Sequence, residues 1–194
     1  MQKTRLEAFS DGVIAIIITI MVLELKAPHE ASLESLRPLL PTLLSYLLSF
    51  VYVGIYWSNH HHLFHATRSI SGGVLWANLH LLFWLSLIPF VTAWVDGTHF
   101  SAIPVAAYGT VLLLSGVAWE ILRLMLTRGN ANNTLLRSAT GRGRKEWASL
   151  AIYTIGVGVA FAVPWLAIGL YTLVAVAWLV PDRRIERAIR NAAE

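Results

Sequence analysis

From Trp147 to Val180 the chain carries no charged side chain. As one continuous helix at 1.5 Å per residue, that block would be about 50 Å long, and no bilayer matches it. Pro164 near its middle marks a turn, which leaves two short membrane-crossing segments at 148–163 and 165–180. A spanning helix needs about 20 mostly apolar residues, and four more such stretches precede this block, at 6–25, 39–64, 74–95 and 104–126. Pro38 and Pro41 stand at the start of the second and Pro104 at the start of the fourth, where a missing N–H costs a helix nothing. Pro89 predicts a kink in the third. The expected architecture is therefore all-α: an integral membrane protein of six transmembrane helices forming one domain over 1–194. Composition agrees, since only 13% of residues are charged against about 25% in a soluble domain. Eight Trp and six Tyr suit the aromatic belts at membrane interfaces. Asp11 and Glu24 do not fit the apolar core of a cleavable signal peptide, so the first segment is expected to remain a membrane helix.

Charge then orients the chain. With six crossings both termini share a side, and that side holds twelve basic residues: Lys3, Arg5, Arg68, Arg128, Arg137, Arg142, Arg144, Lys145, Arg183, Arg184, Arg187 and Arg190. The opposite loops hold Lys26 and Arg37, while Arg123 lies inside the fourth segment. Positive charge favours the cytoplasmic side, which places both termini in the cytoplasm. The basic loop GRGRK at 141–145 has no interleaved aromatic residues for stacking bases, so nucleic acid is not an expected partner. Contact with anionic membrane lipids fits it better. The tail PDRRIERAIRNAAE alternates charge like a solvated or interfacial helix. Zero cysteines exclude disulfides, thiolate metal sites and cysteine nucleophiles.

The polar residues inside the apolar segments are the candidates for function. The first segment opens as RLEAFSDGVIAI, with Ser10 and Asp11 inside its first turns. Asp11 reads either as a cap or structural partner or as a residue that meets an ion, because a carboxylate within a membrane needs a partner. Further along, Ile16, Thr19, Ile20 and Leu23 recur on one helical face. That stripe is either a packing seam or, in a symmetric assembly, a set of apolar rings that gate by dewetting. YWSNHHHLFH at 56–65 and WANLH at 76–80 lie at the same expected depth as Arg5, Ser10 and Asp11. Trp57, Asn59, the histidines and Asn78 are therefore expected to join that layer, where polar groups must satisfy one another. His61, His65 and His80 are candidate metal or haem ligands; His60, His61 and His62 point three ways around a helix, so few can serve one site. Glu120 and Arg123 form an i, i+3 pair in the fourth segment. There is no GKS/T phosphate loop, HExxH, GxSxG or TVGYG-like filter, and an enzyme is not expected.

RLEAFSDGVIAI resembles the R-x-x-x-F-S-D signature of the transmembrane protein 175 family of potassium channels, here Arg5, Phe9, Ser10 and Asp11. The similarity extends through YWSNHHHLF and WANLHLLFWLSLIPF, over roughly the first 90 residues; beyond about 100 only hydropathy and segment count agree. The resemblance implies a homotetramer of six-helix subunits in a prokaryotic cell membrane, with the first helix of each subunit lining a central pore. It implies potassium as permeant ion and no cofactor or resident metal. It places the pore gate and selectivity contacts on Ile16, Thr19 and Leu23. It makes the Arg5-Phe9-Ser10-Asp11 motif an anchor for the pore helix, with Trp57, His60 and Asn78 as its partners, the choice among the three adjacent histidines staying open. Two other readings stand beside it: a proton-coupled or metal-ion transporter using Asp11, Glu120 and the histidines, and a b-type cytochrome using His61 and His80.

Overall fold

The computed structural model describes residues 3–28, 31–67, 69–130, 133, 136 and 143–179. Arg68, Arg137, Arg142 and the tail from 180 lie outside the described residues. Among those described there are seven α-helices and no strand: α1 (Lys3–Leu23), α2 (Leu40–His65), α3 (Gly72–Ser86), α4 (Ile88–Gly97), α5 (Ala102–Gly129), α6 (Arg144–Ala160) and α7 (Pro164–Leu179). Four apolar stretches are long enough to cross a membrane: Lys3–Leu23, Glu34–His65, Gly72–Gly97 and Ala102–Gly129. α6 and α7 have 17 and 16 residues, a reach of about 25 Å each, and form a shorter pair packed on each other.

Proline sets most of the boundaries. A 3-10 turn at Glu34–Leu39, with Pro38 inside it, leads into α2, whose first turn carries Pro41. The segment expected at 74–95 as one kinked helix is instead two helices that meet at Leu87. Pro89 has no N–H to offer the carbonyl of Leu85 and its ring crowds that carbonyl, so the helix ends and a new one starts with Pro89 in its first turn. Likewise α6 stops at Ala160 rather than 163, and Phe161 to Val163 turn back through Ala162 N–H and Val163 N–H donating to Val159 O at 3.0 and 2.8 Å. Pro164 then opens α7.

α5 is the hub, packed by α3, α4, α6 and α7, while α1 lies on α2, α3 and α4. The junctions hold hydroxyl groups that satisfy one another. Ser49 Oγ on α2 lies 2.7 Å from Thr92 Oγ1 on α4 and 3.0 Å from Tyr108 Oη on α5. Thr42 Oγ1 donates to Asp96 Oδ1 at 2.7 Å, and Tyr52 Oη donates to the Tyr171 carbonyl at 2.5 Å. Such bonds have no competing water in hydrocarbon, so leaving one unmade is costly.

α7 is keyed into the bundle by Tyr171, fully buried, whose ring occupies the space beside Gly109 on α5 and Gly156 on α6. Small residues at a membrane helix interface let a neighbour approach this closely. A methyl group at Gly109 or Gly156 would overlap the tyrosine ring, whereas one at Gly158 meets nothing within 4 Å. Gly109→Ala is therefore expected to cost about 1–3 kcal/mol through overpacking. It should lower the thermal unfolding midpoint of the detergent-purified protein, with Gly158→Ala as the unaffected control. Equal midpoints for both variants would show that Tyr171 is not seated in that socket.

Candidate functional site: the two faces of helix α1

α1 is divided lengthwise. Leu6, Ser10, Ile14, Ile17 and Met21 are buried against α2, α3 and α4. Arg5, Phe9, Gly12, Ile16, Thr19 and Leu23 are exposed, with Ile16 at 58% and Leu23 at 79% of full exposure. Within a broader exposed surface that also includes Ala8, Asp11, Ala15, Ile20 and Val22, these six follow one line along the helix in alternate steps of four and three. Thr19 Oγ1 donates to the Ile16 carbonyl at 2.8 Å. Its proton is thus engaged within the helix, and the oxygen lone pairs stay open on the exposed side.

The buried face is fastened by one polar chain. Ser10 Oγ donates to Leu6 O at 2.9 Å and accepts from Asn78 Nδ2 at 2.9 Å. Asn78 Oδ1 lies 2.8 Å from His60 Nε2, so the imidazole donates there, and Nε2 carries the proton that completes the sequence of donors. Ser10 and Asn78 are fully buried and His60 is 1% exposed, its ring stacked on Phe64 at 4.3 Å. Of the three adjacent histidines, His60 is the one that faces α1 and α3. A second, outer contact runs from Trp57 Nε1 to Asp11 Oδ1 at 3.1 Å, with Trp57 stacked on His61.

The structure does not bring every residue of the expected layer together. Arg5 and Phe9 sit on the exposed stripe, and Arg5 makes no side-chain hydrogen bond or ion pair among the described residues. Within the subunit, Ser10 and Asp11 make the motif's anchoring contacts. Asn59 turns to the other side of α2, where it lines a cleft with Trp119 and Tyr153, because it follows Tyr56 by three residues and shares its face, while two residues from Trp57 is about 200° around the helix. His80 accepts from Trp84 Nε1 at 2.9 Å on the exposed face of α3. Among the described residues no three His, Asp or Glu side chains are grouped to hold a metal ion. Glu120, 8% exposed, is held by Arg123 Nε at 3.0 Å on its own helix α5, while Asp11 is bonded to α2. The junction of Ser49, Thr92 and Tyr108 was not singled out in the sequence, where the one available signal was a threonine one turn beyond Ile88 at the proline break.

Residues 5–89 match the model of the family described as endosomal/lysosomal potassium channel TMEM175. A potassium channel of Chryseobacterium sp. (strain P1-3) is 53% identical over 191 residues, covering 98% of this chain and all of that one. The chain is a member of the TMEM175 family of potassium channels. A second relative, a potassium channel of Streptomyces collinus, is 30% identical with 90% of each chain covered. Among solved structures, the lysosomal potassium-selective channel TMEM175 homolog from Chamaesiphon minutus superposes with a TM-score of 0.79 at 25% identity, over 92% of this chain and 96% of that one. The relatives are membrane channels and not enzymes.

Asn78 is the centre of the polar chain, so Asn78→Ala leaves both His60 and Ser10 short of a partner in the core. The expected loss is about 1–3 kcal/mol for each group left unpaired, read as a lower unfolding midpoint and a smaller yield of assembled protein. A midpoint equal to that of the unaltered protein would mean the chain of bonds does not hold α1.

Proposed function

We propose that this protein is a potassium-selective cation channel in which four copies of α1 surround a central pore. What supports the reading is the division of α1. One face is fixed to the subunit by Ser10, Ile14, Ile17 and Met21, and the line of Phe9, Gly12, Ile16, Thr19 and Leu23 is exposed. Around a fourfold axis Ile16 and Leu23 form apolar rings that close the pore by excluding water, a gate that needs no charged group. Thr19 lies between them, and its oxygen is the one side-chain group at that depth able to replace a water on the ion. The relatives named as potassium channels support the choice of ion. No TVGYG filter occurs in the sequence, so discrimination falls to this narrow threonine ring. In this reading the motif residues Arg5, Phe9, Ser10 and Asp11 set the pose of the pore helix, Trp57, His60 and Asn78 being their partners. Both termini face the cytoplasm of a bacterial cell, as the basic residues at that end of the bundle favour. Lipid surrounds the outer helices.

The test is ion flux from proteoliposomes loaded with potassium chloride and diluted into sodium chloride, with the potential set up by departing potassium as the readout. Ile16→Asn is expected to wet the constriction and raise the flux several-fold; an unchanged flux would remove Ile16 from the gate. Thr19→Ala should conduct but lower the potassium-to-sodium permeability ratio by roughly fivefold, the worth of one contact of ~1 kcal/mol. An unchanged reversal potential would take Thr19 out of the selectivity mechanism.

A further inference from the structure

Histidines crowd the C-terminal end of α2, and the polar chain to α1 uses one of them. His60 is bonded to Asn78, and on α3 His80 is bonded to Trp84. His61 and His65 differ from both. They are exposed, and neither ring makes a hydrogen bond or ion pair among the described residues. Four positions apart, they stand on one face of the helix, with ring centroids 6.2 Å apart.

That spacing suits one metal ion between them. A divalent metal held by imidazole lies about 2.1 Å from the nitrogen and so about 3.2 Å from the ring centre, which puts two rings on one metal at most about 6.4 Å apart. The pair is within that reach as it stands, and the last side-chain bond of histidine turns freely enough to aim one nitrogen of each ring at a common point. The setting also favours a cation. α2 ends at His65, and the C-terminal end of a helix carries partial negative charge. The Lys3 ammonium, which donates to the His65 carbonyl at 3.3 Å, is countered by Glu7 at 4.0 Å. Asp11 adds a carboxylate nearby, bonded to Trp57, whose ring is stacked on His61.

We propose that His61 and His65 form an exchangeable site for a divalent first-row transition metal such as Zn²⁺ or Ni²⁺. Imidazole nitrogens suit these ions, whereas Mg²⁺ and Ca²⁺ take oxygen ligands. Two protein ligands leave the remaining coordination positions to water. The site therefore fills and empties with the metal concentration, unlike a resident centre of three or more ligands, for which the described residues offer no group. It lies outside the line of Ile16, Thr19 and Leu23 and does not depend on how the pore works.

The test uses the full chain without a histidine tag, purified in detergent, stripped with a chelator and titrated with nickel chloride by calorimetry. Saturable binding at one site per subunit is expected, with no displacement by an excess of magnesium chloride. His61→Gln and His65→Gln should each weaken nickel binding at least roughly tenfold, since even a group that only supports a ligand is worth that much. His62→Gln and His80→Gln should bind as the unaltered protein does. Both key residues are exposed, and an unchanged unfolding midpoint in metal-free buffer checks that their variants fold. No saturable binding, unchanged affinity in either folded variant, displacement by magnesium, or an equal loss in His62→Gln or His80→Gln would each overturn the proposal.

Discussion

The rest of this structure depends on the hydrogen-bonded line from His60 through Asn78 to Ser10. A helix laid against others in lipid gains little from burying apolar surface, because the lipid is as apolar as the core. Orientation about the helix axis must come from something directional. Each group in this line has one usable role: the imidazole donates, the amide accepts on one side and donates on the other, and the hydroxyl returns its proton to Leu6 O. A rotation of α1 by one residue, about 100°, would carry Ser10 away from Asn78 and leave the buried Asn78 Nδ2 without its acceptor. The line therefore fixes which residues of α1 are turned outward.

That choice gives the exposed stripe its composition. With Ser10 held inward, the residues 12, 16, 19 and 23 fall outward as Gly, Ile, Thr and Leu. Thr19 donates its proton within its own helix, as the exposed Thr154 and Thr172 do on α6 and α7. What remains outward is an oxygen flanked by hydrocarbon, which in the proposed channel would meet a partly dehydrated cation.

The apolar segments were legible because membrane insertion writes itself into composition, and because a proline lacks a donor Pro41 marked a helix start and Pro164 a turn. The break at Leu87 was harder: proline announces a disturbance without saying whether the helix bends or ends, and that depends on whether Thr92 and the neighbouring hydroxyls satisfy the backbone. Ser10, Asn78 and a histidine were recognisable as a layer from their common depth, yet depth does not decide rotation, and His60 is separated from His61 only by 100° about α2. For the same reason Asn59 was expected in that layer and lies on the far side of α2. Arg5 and Phe9 carry the signature without touching the subunit core, so a motif's membership did not disclose which of its residues act within one chain. The socket for Tyr171 was invisible, because Gly109 and Gly156 owe their importance to a ring far along the sequence.

α2 ties these features together through its own rotation. Trp57 and His60 reach α1 and α3, and Tyr56 and Asn59, each one residue earlier, face α5 and α6 across the aromatic cleft. Tyr52, one turn before Tyr56, is anchored on the backbone of α7. The pose of α2 is thus held from both sides, by a donor chain toward α1 and by aromatic contacts and one carbonyl bond toward α5, α6 and α7. The apolar second half of the chain, which has no signature of its own, thus contributes through the Tyr52–Tyr171 bond and the cleft contacts to the seat of α2, the helix from which His60 donates to Asn78.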